Sequence, residues 1–143
     1  MDLEIVLTLI LAMFLGGLIG WARERDGKPA GLRTHILVCV SCAMLIATQT
    51  FLTKLFPNAD PGRMAAGVIT GIGFLGAGAI IQSGGEVKGV TTAASVWITA
   101  AIGIAVGVGY YWGALVCTLV TLFVIETLRE VERKFFSHRS PSK

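Results

Sequence analysis

The densest run of groups able to do chemistry is Arg23, Glu24, Arg25, Asp26, Lys28, Arg33, Thr34 and His35. A sparser set, Glu86, Lys88, Thr91 and Thr92, comes later in the chain. Each set precedes an apolar stretch that reads as a helix, so two helix N-termini begin beside these residues. Helix N-termini present free N–H groups and partial positive charge, which favour an anion. Arg33 adds a planar guanidinium fork suited to a phosphate, a nucleotide or an acidic side chain. Arg23, Glu24, Arg33, Thr34, His35, Thr91 and Thr92 therefore form the candidate site. Within it, Arg33 is expected to tie the first turn to Thr91 and Thr92, with Glu24 or Asp26 as counter-charge. The alternative is a solvated turn. Arg25 reads as a charge that only sets topology, and His35 as a helix-start interfacial residue rather than a metal ligand. No Ser/His/Asp set, metal-ligand cluster or activated cysteine can be assembled, so no enzyme, metal or cofactor is expected. Cys39 and Cys42 form a CxxC inside an apolar stretch, where packing is the simpler role.

The two polar sets share a pattern. Gly27-Lys28-Pro29-Ala30-Gly31-Leu32-Arg33-Thr34 and Gly85-Glu86-Val87-Lys88-Gly89-Val90-Thr91-Thr92 both read G-x-x-x-G-[L/V]-x-T, 58 positions apart. Gly20 matches Gly78, Val38 matches Val96, Ala43 matches Ala101, Ile46 matches Ile104 and Ala47 matches Ala105 in the same register. This reads as a duplicated helix hairpin, the alternative being coincidence in a chain rich in Gly and Ala. Such repeats place a working site where the copies meet. Both matched turns fall on one side of the membrane, so the copies are expected to be parallel.

The elements that hold these turns are apolar. The chain has 143 residues, 54% of them hydrophobic, and a mean hydropathy of +0.74. Stretches of about 20 residues with few charges are the signature of membrane-spanning helices. Five spans are predicted at about 4–21, 35–53, 63–82, 92–108 and 110–128. Residues 1–128 then form one membrane domain and 129–143 a short charged tail, an all-α protein of two tandem helix hairpins plus a fifth helix. No room remains for a soluble catalytic or nucleic-acid module. Met1-Asp2-Leu3-Glu4 lacks a basic n-region, so the first span is expected to stay.

Ten of the twelve Lys and Arg residues fall on one side of these spans, leaving Lys54 and Arg63 on the other. The positive-inside rule then puts the N-terminus outside and the C-terminus in the cytoplasm of a bacterial inner membrane. The net charge of +3 suits anionic lipid rather than nucleic acid. Asp60-Pro61 reads as a helix start with Asp60 as N-cap, and Thr34, Thr91 or Thr92 are candidate caps for spans two and four. Glu130 and Lys134 are ordered for an i,i+4 pair.

Glycine is the remaining signal. On the third span Gly67, Gly71 and Gly78 share one face, with Gly73 and Gly76 roughly opposite. Such a helix suits the centre of a bundle, or a break at mid-membrane that exposes carbonyls. Gly16 and Gly20, and Gly103 and Gly107, have small-xxx-small spacing, which favours close helix crossings within the chain or in a homodimer. No Asp, Glu, Lys, Arg or His is central to a span, which argues against a cation pathway.

Ala30-Gly31-Leu32-Arg33-Thr34-His35, Gly71-Ile72-Gly73-Phe74-Leu75-Gly76-Ala77-Gly78 and Gly89-Val90-Thr91-Thr92-Ala93-Ala94 together resemble the membrane domain of the MgtC/SapB family. The resemblance covers nearly the whole chain. It implies a small bacterial inner-membrane protein linked to magnesium limitation, acid stress or growth inside host cells, the last a virulence trait. It also implies action on another inner-membrane protein, with a magnesium transporter or channel as the alternative. Many relatives place Glu where this chain has Ala22, some Asp at Ser95 and Asn at Ala79, so a mechanism needing those groups does not carry over. Longer relatives add a soluble domain beyond the position of Phe136.

Overall fold

The computed structural model describes residues 2–56, 58–83 and 86–136. Five helices follow in order: α1 Asp2–Arg25, α2 Leu32–Leu55, α3 Arg63–Ala79, α4 Val90–Gly107 and α5 Tyr111–Phe136. Between α3 and α4 the strands β1 Ile81–Ser83 and β2 Glu86–Lys88 pair antiparallel, with Ile81 opposite Lys88.

Four helices are long and apolar enough to cross a membrane: α1 over Leu3–Arg25, α2, α4, and α5 over Tyr111–Leu128. Helix α3 has 17 residues, roughly 25 Å against a hydrocarbon core of about 30 Å. It ends at Ala79 and not at 82 as the hydropathy suggests. Ile80 and Ile81 are β-branched and are followed by the Gly84-Gly85 dipeptide, a composition that favours a hairpin over another helical turn. Helix α3 is continuous through Gly71 to Gly78, so its carbonyls stay in the helical ladder and the mid-membrane break does not occur.

Both turns that share the pattern start a helix. Gly31 is the N-cap of α2 and Gly89 the N-cap of α4. Neither helix start has a capping side chain of its own N-cap residue, so Thr34, Thr91 and Thr92 lie inside the helices rather than capping them. Gly89 has φ +92, and a Cβ there would run into the carbonyl of Ala79. The second turn is therefore closed on the end of α3 and needs glycine on both counts. Helix α3 begins after Gly62, not at Pro61. Asp60 Oδ1 accepts from the Gly62 N–H at 2.8 Å, and the capping acceptor for α3 is Gln49 Oε1, which takes the Met64 N–H at 2.7 Å. Gln49 is buried on α2, so its side chain ties α2 to the start of α3.

The core lies where α1, α2 and α4 meet. Ala12, Leu15, Ile19, Cys39, Ala43, Ile102, Val106 and the Ala114 of α5 form one buried cluster, and Val38, Cys42, Val68, Ile72, Val96 and Ala100 join a second that reaches α3. Glycines set the approach distances. A Cβ on Gly16 would sit 2.7 Å from the Cys39 Cβ, one on Gly20 2.7 Å from the Leu32 Cα, and one on Gly107 2.6 Å from the Ala43 carbonyl oxygen. One on Gly103 would strike the Cys39 carbonyl. These small-xxx-small pairs are consumed inside the chain, α1 on α2 and α2 on α4, so they are not the faces of a homodimer.

Helix α3 overturns the expectation of a bundle centre. Among its described residues only Val68 and Ile72 are buried. A Cβ on Gly67, Gly71, Gly73 or Gly78 would meet nothing within 4 Å, and one on Gly76 would make only ordinary contact with Ala93 at 3.7 Å. The glycine pattern predicts two packed faces, but α3 lies on the flank of the bundle against α4 and α2.

Candidate functional site

The polar residues converge at one end of the bundle, where α1 ends and α2 and α4 begin. Helix α1 runs a full turn past the predicted end of the first span, to Arg25. That extension puts Leu15, Ile19 and Arg23 on one face at i, i+4 and i+8, all buried. Arg23 is 2% exposed, and its Nη2 donates to Thr92 Oγ1 at 2.7 Å. A guanidinium held this deep joins the end of α1 to the first turn of α4, and thus one repeat to the other.

A second tie runs from α2 to α4. His35 is fully buried; its Nδ1 lies 2.8 Å from the Gly31 carbonyl and its Nε2 3.2 Å from Ser95 Oγ. A carbonyl only accepts, so Nδ1 carries the proton and the ring is held as that tautomer or doubly protonated. Ser95 Oγ also lies 2.8 Å from the Thr92 carbonyl, so with His35 as the Nδ1–H tautomer its single proton is shared between that carbonyl and Nε2, and Thr99 Oγ1 donates to the Ser95 carbonyl at 2.8 Å. Arg23 and His35 therefore address the same turn of α4, Thr92 to Ser95, from two helices.

The periphery is lighter. Glu24 Oε2 accepts the Leu32 N–H at 2.6 Å, supplying α2 with the N-terminal acceptor that Gly31 lacks. Arg25 Nη2 meets Glu126 Oε1 of α5 at 2.9 Å, and its Nε lies 3.7 Å from Asp26 Oδ1. Arg25 is thus more than a topology charge, although the pair with Glu126 is about half exposed on both sides. Arg33, Thr34 and Thr91 are exposed. The tie to Thr92 assigned to Arg33 belongs to Arg23, because α2 turns the Arg33 side chain outward while α1 carries Arg23 inward.

The chemistry this arrangement offers is structural fixation. Thr92 and the Nη2 of Arg23 satisfy each other, Glu24 occupies the helix terminus that an external anion would use, and His35 is enclosed. Among the described residues no group of three or more His, Cys, Asp and Glu is placed to hold a metal. Cys39 and Cys42 are free and buried on α2. Glu86, Glu130 and Lys134 have side chains outside the described residues.

The Arg23–Thr92 and His35–Ser95 contacts are hidden in the sequence for different reasons. The first span was ended at the first charged residues, although the buried stripe Ala12, Leu15, Ile19 continues in register to Arg23. Reading the stripe past Trp21 finds Arg23. Ser95 has no such signal, since only the packing of α2 on α4 selects it from the polar residues of its helix.

Four membrane-length apolar helices, a short fifth and a buried polar tie at one end define a multi-pass α-helical membrane protein. The chain belongs to the MgtC family, whose profile matches residues 9–134. It is 39% identical over 136 residues to an Escherichia coli (strain K12) protein named "Putative magnesium transporter YhiD", covering 92% of this chain and 63% of that one. It is 42% identical over 130 residues to protein MgtC of Salmonella typhimurium (90% of this chain, 54% of the relative). To protein SapB of Bacillus subtilis it is 38% identical over 148 residues, covering 99% and 64%. The chain thus spans between about half and two thirds of the length of these relatives. No solved structure matches it significantly.

Proposed function

We propose that this MgtC-family protein of a bacterial inner membrane serves magnesium limitation and related stress by contacting other membrane proteins, its own copies included, rather than by catalysis or conduction. One observation carries the reading. Arg23, His35, Thr92 and Ser95, the buried polar side chains at the candidate site, each make at least one hydrogen bond within the bundle, with Arg23 Nε left unpartnered, while the glycine face of α3 is open. The protein invests its polarity in rigidity and presents smooth apolar surface outward, which is how transmembrane helices recognise one another. The unbroken α3 supplies no exposed carbonyls for a desolvated cation, and no carboxylate sits at mid-span. The N-terminus outside and the polar end in the cytoplasm follow from the Lys/Arg distribution.

Magnesium transport is the second reading, favoured by the name of the Escherichia coli relative. Purified protein in sealed liposomes loaded with a magnesium-sensitive dye separates the two. Contact action predicts entry no faster than in empty vesicles. Saturable magnesium entry above that baseline refutes it.

A further inference from the structure

We propose that α3 is the seam of a homodimer in which Phe74 of each copy seats against Gly71 and Gly78 of the other. The inference rests on the contact reading above and names the surface and its occupant.

Three observations locate the seam. Phe74 is 82% exposed, the most exposed large hydrophobic side chain among the described residues. At about 100° per residue, Gly67, Gly71, Gly78 and Phe74 fall within an arc of roughly 60°. That arc borders an open apolar groove of about 600 Å³ between α2 and α3, walled by Leu45, Gly67, Gly71 and Leu75. A knob and two hollows thus occupy one face, and the groove opens along its edge at Gly67 and Gly71.

Their order along the helix selects a second copy as occupant. Copies of one chain insert in the same orientation, so a symmetric pair has its axis along the membrane normal and α3 meets α3 in parallel. Such an isologous contact must be self-complementary at matched depth. Phe74 lies one turn from Gly71 on one side and from Gly78 on the other, about 4.5 and 6 Å along the axis. In a parallel pair, a residue inserts into the hole formed by positions i−3, i, i+1 and i+4 of its partner. For Phe74 that hole is Gly71, Phe74, Leu75 and Gly78, with glycines where the ring must enter. The outer face of α5 has no such pairing of knob and hollow. Its exposed Val116, Leu119, Val120 and Phe123 are all knobs, and α5 packs against α1 and α4, away from the groove.

The test uses the full chain in native membranes, with Cys117 replaced by Ala; Cys39 and Cys42 are buried. Oxidation should link Gly78→Cys into a dimer and leave Ile69→Cys, on the opposite flank of α3, unlinked. Adding Phe74→Ala should reduce the Gly78→Cys dimer about tenfold, the scale of one lost packing anchor. Equal linking at Ile69→Cys, an adduct with a different protein instead of the dimer, or insensitivity to Phe74→Ala overturns the seam. Magnesium flux in liposomes would sink the contact reading and leave this result standing, so the two failures are distinguishable.

Discussion

A side chain at Gly103 would strike the Cys39 carbonyl, whereas one at Gly71 would meet nothing within 4 Å. The same residue type serves opposite ends in the two regions. In the α1–α2–α4 base, Gly16, Gly20, Gly103 and Gly107 let backbones touch, and the space gained is filled by Leu15, Ile19, Ile46 and Ile102. On α3 the glycines save no internal space at all. The base also holds the buried polar ties, Arg23 to Thr92 and His35 to Ser95, while among the described residues the one side-chain hydrogen bond from another helix to α3 is the Gln49 cap on Met64. On the function proposed above, stability and recognition fall to different helices. A rigid base fixes the frame, and a lightly held flank presents the surface.

The comparison breaks most readily at Gly103. Leucine there must push α2 off α4, and the expected cost is about 3 kcal/mol or more, the upper range for overpacking. Thermal unfolding in detergent, read by helical circular dichroism, should show loss of the folded protein. Gly71→Leu in the same assay should melt within about 0.5 kcal/mol of wild type, as surface changes do.

Arg23→Leu comes next. It leaves Thr92 without its donor and removes the link between the repeats, with an expected loss of about 2 kcal/mol. Arg23→Lys should recover only part of it, because a single ammonium replaces the planar fork. Equal melting of wild type and Arg23→Leu would mean that the base is not held by this tie.

Ser95→Ala removes the hydroxyl partner of His35 and should cost about 1 kcal/mol. Arg25→Gln breaks only the half-exposed pair with Glu126, and the expected change is under about 1 kcal/mol, smaller still in high salt. Arg33→Lys should be silent in stability, since Arg33 is exposed at the first turn of α2. A larger effect at Arg33 than at Arg23 would restore the pairing that the sequence alone suggested.

Much of this contrast was legible in the residues, and its allocation was not. Hydropathy found the five helices, and the G-x-x-x-G-[L/V]-x-T repeat found the two helix starts at Gly31 and Gly89. The spacing of Gly16 with Gly20, and of Gly103 with Gly107, marked close crossings without saying which partner they meet. Helix α3 was misjudged because a glycine stripe has the same pattern whether another helix covers it or not. Only the placement of Val68 and Ile72 against α4 and α2 shows which face is in. Hydropathy ends the first helix before its charges and so points to Arg33, whereas the helix continues and carries Arg23 inward. In a membrane protein, a charged residue one turn past an apolar stripe belongs to that stripe when its spacing continues it.

On the proposed function, the open face of α3, and not the tied base, carries the activity. Growth under magnesium limitation of cells that depend on this protein, with Gly71→Leu at matched membrane abundance, tests it most directly. The expected outcome is a protein that melts like wild type and no longer supports growth. Full growth with Gly71→Leu, or loss of folding as severe as that of Gly103→Leu, would contradict it.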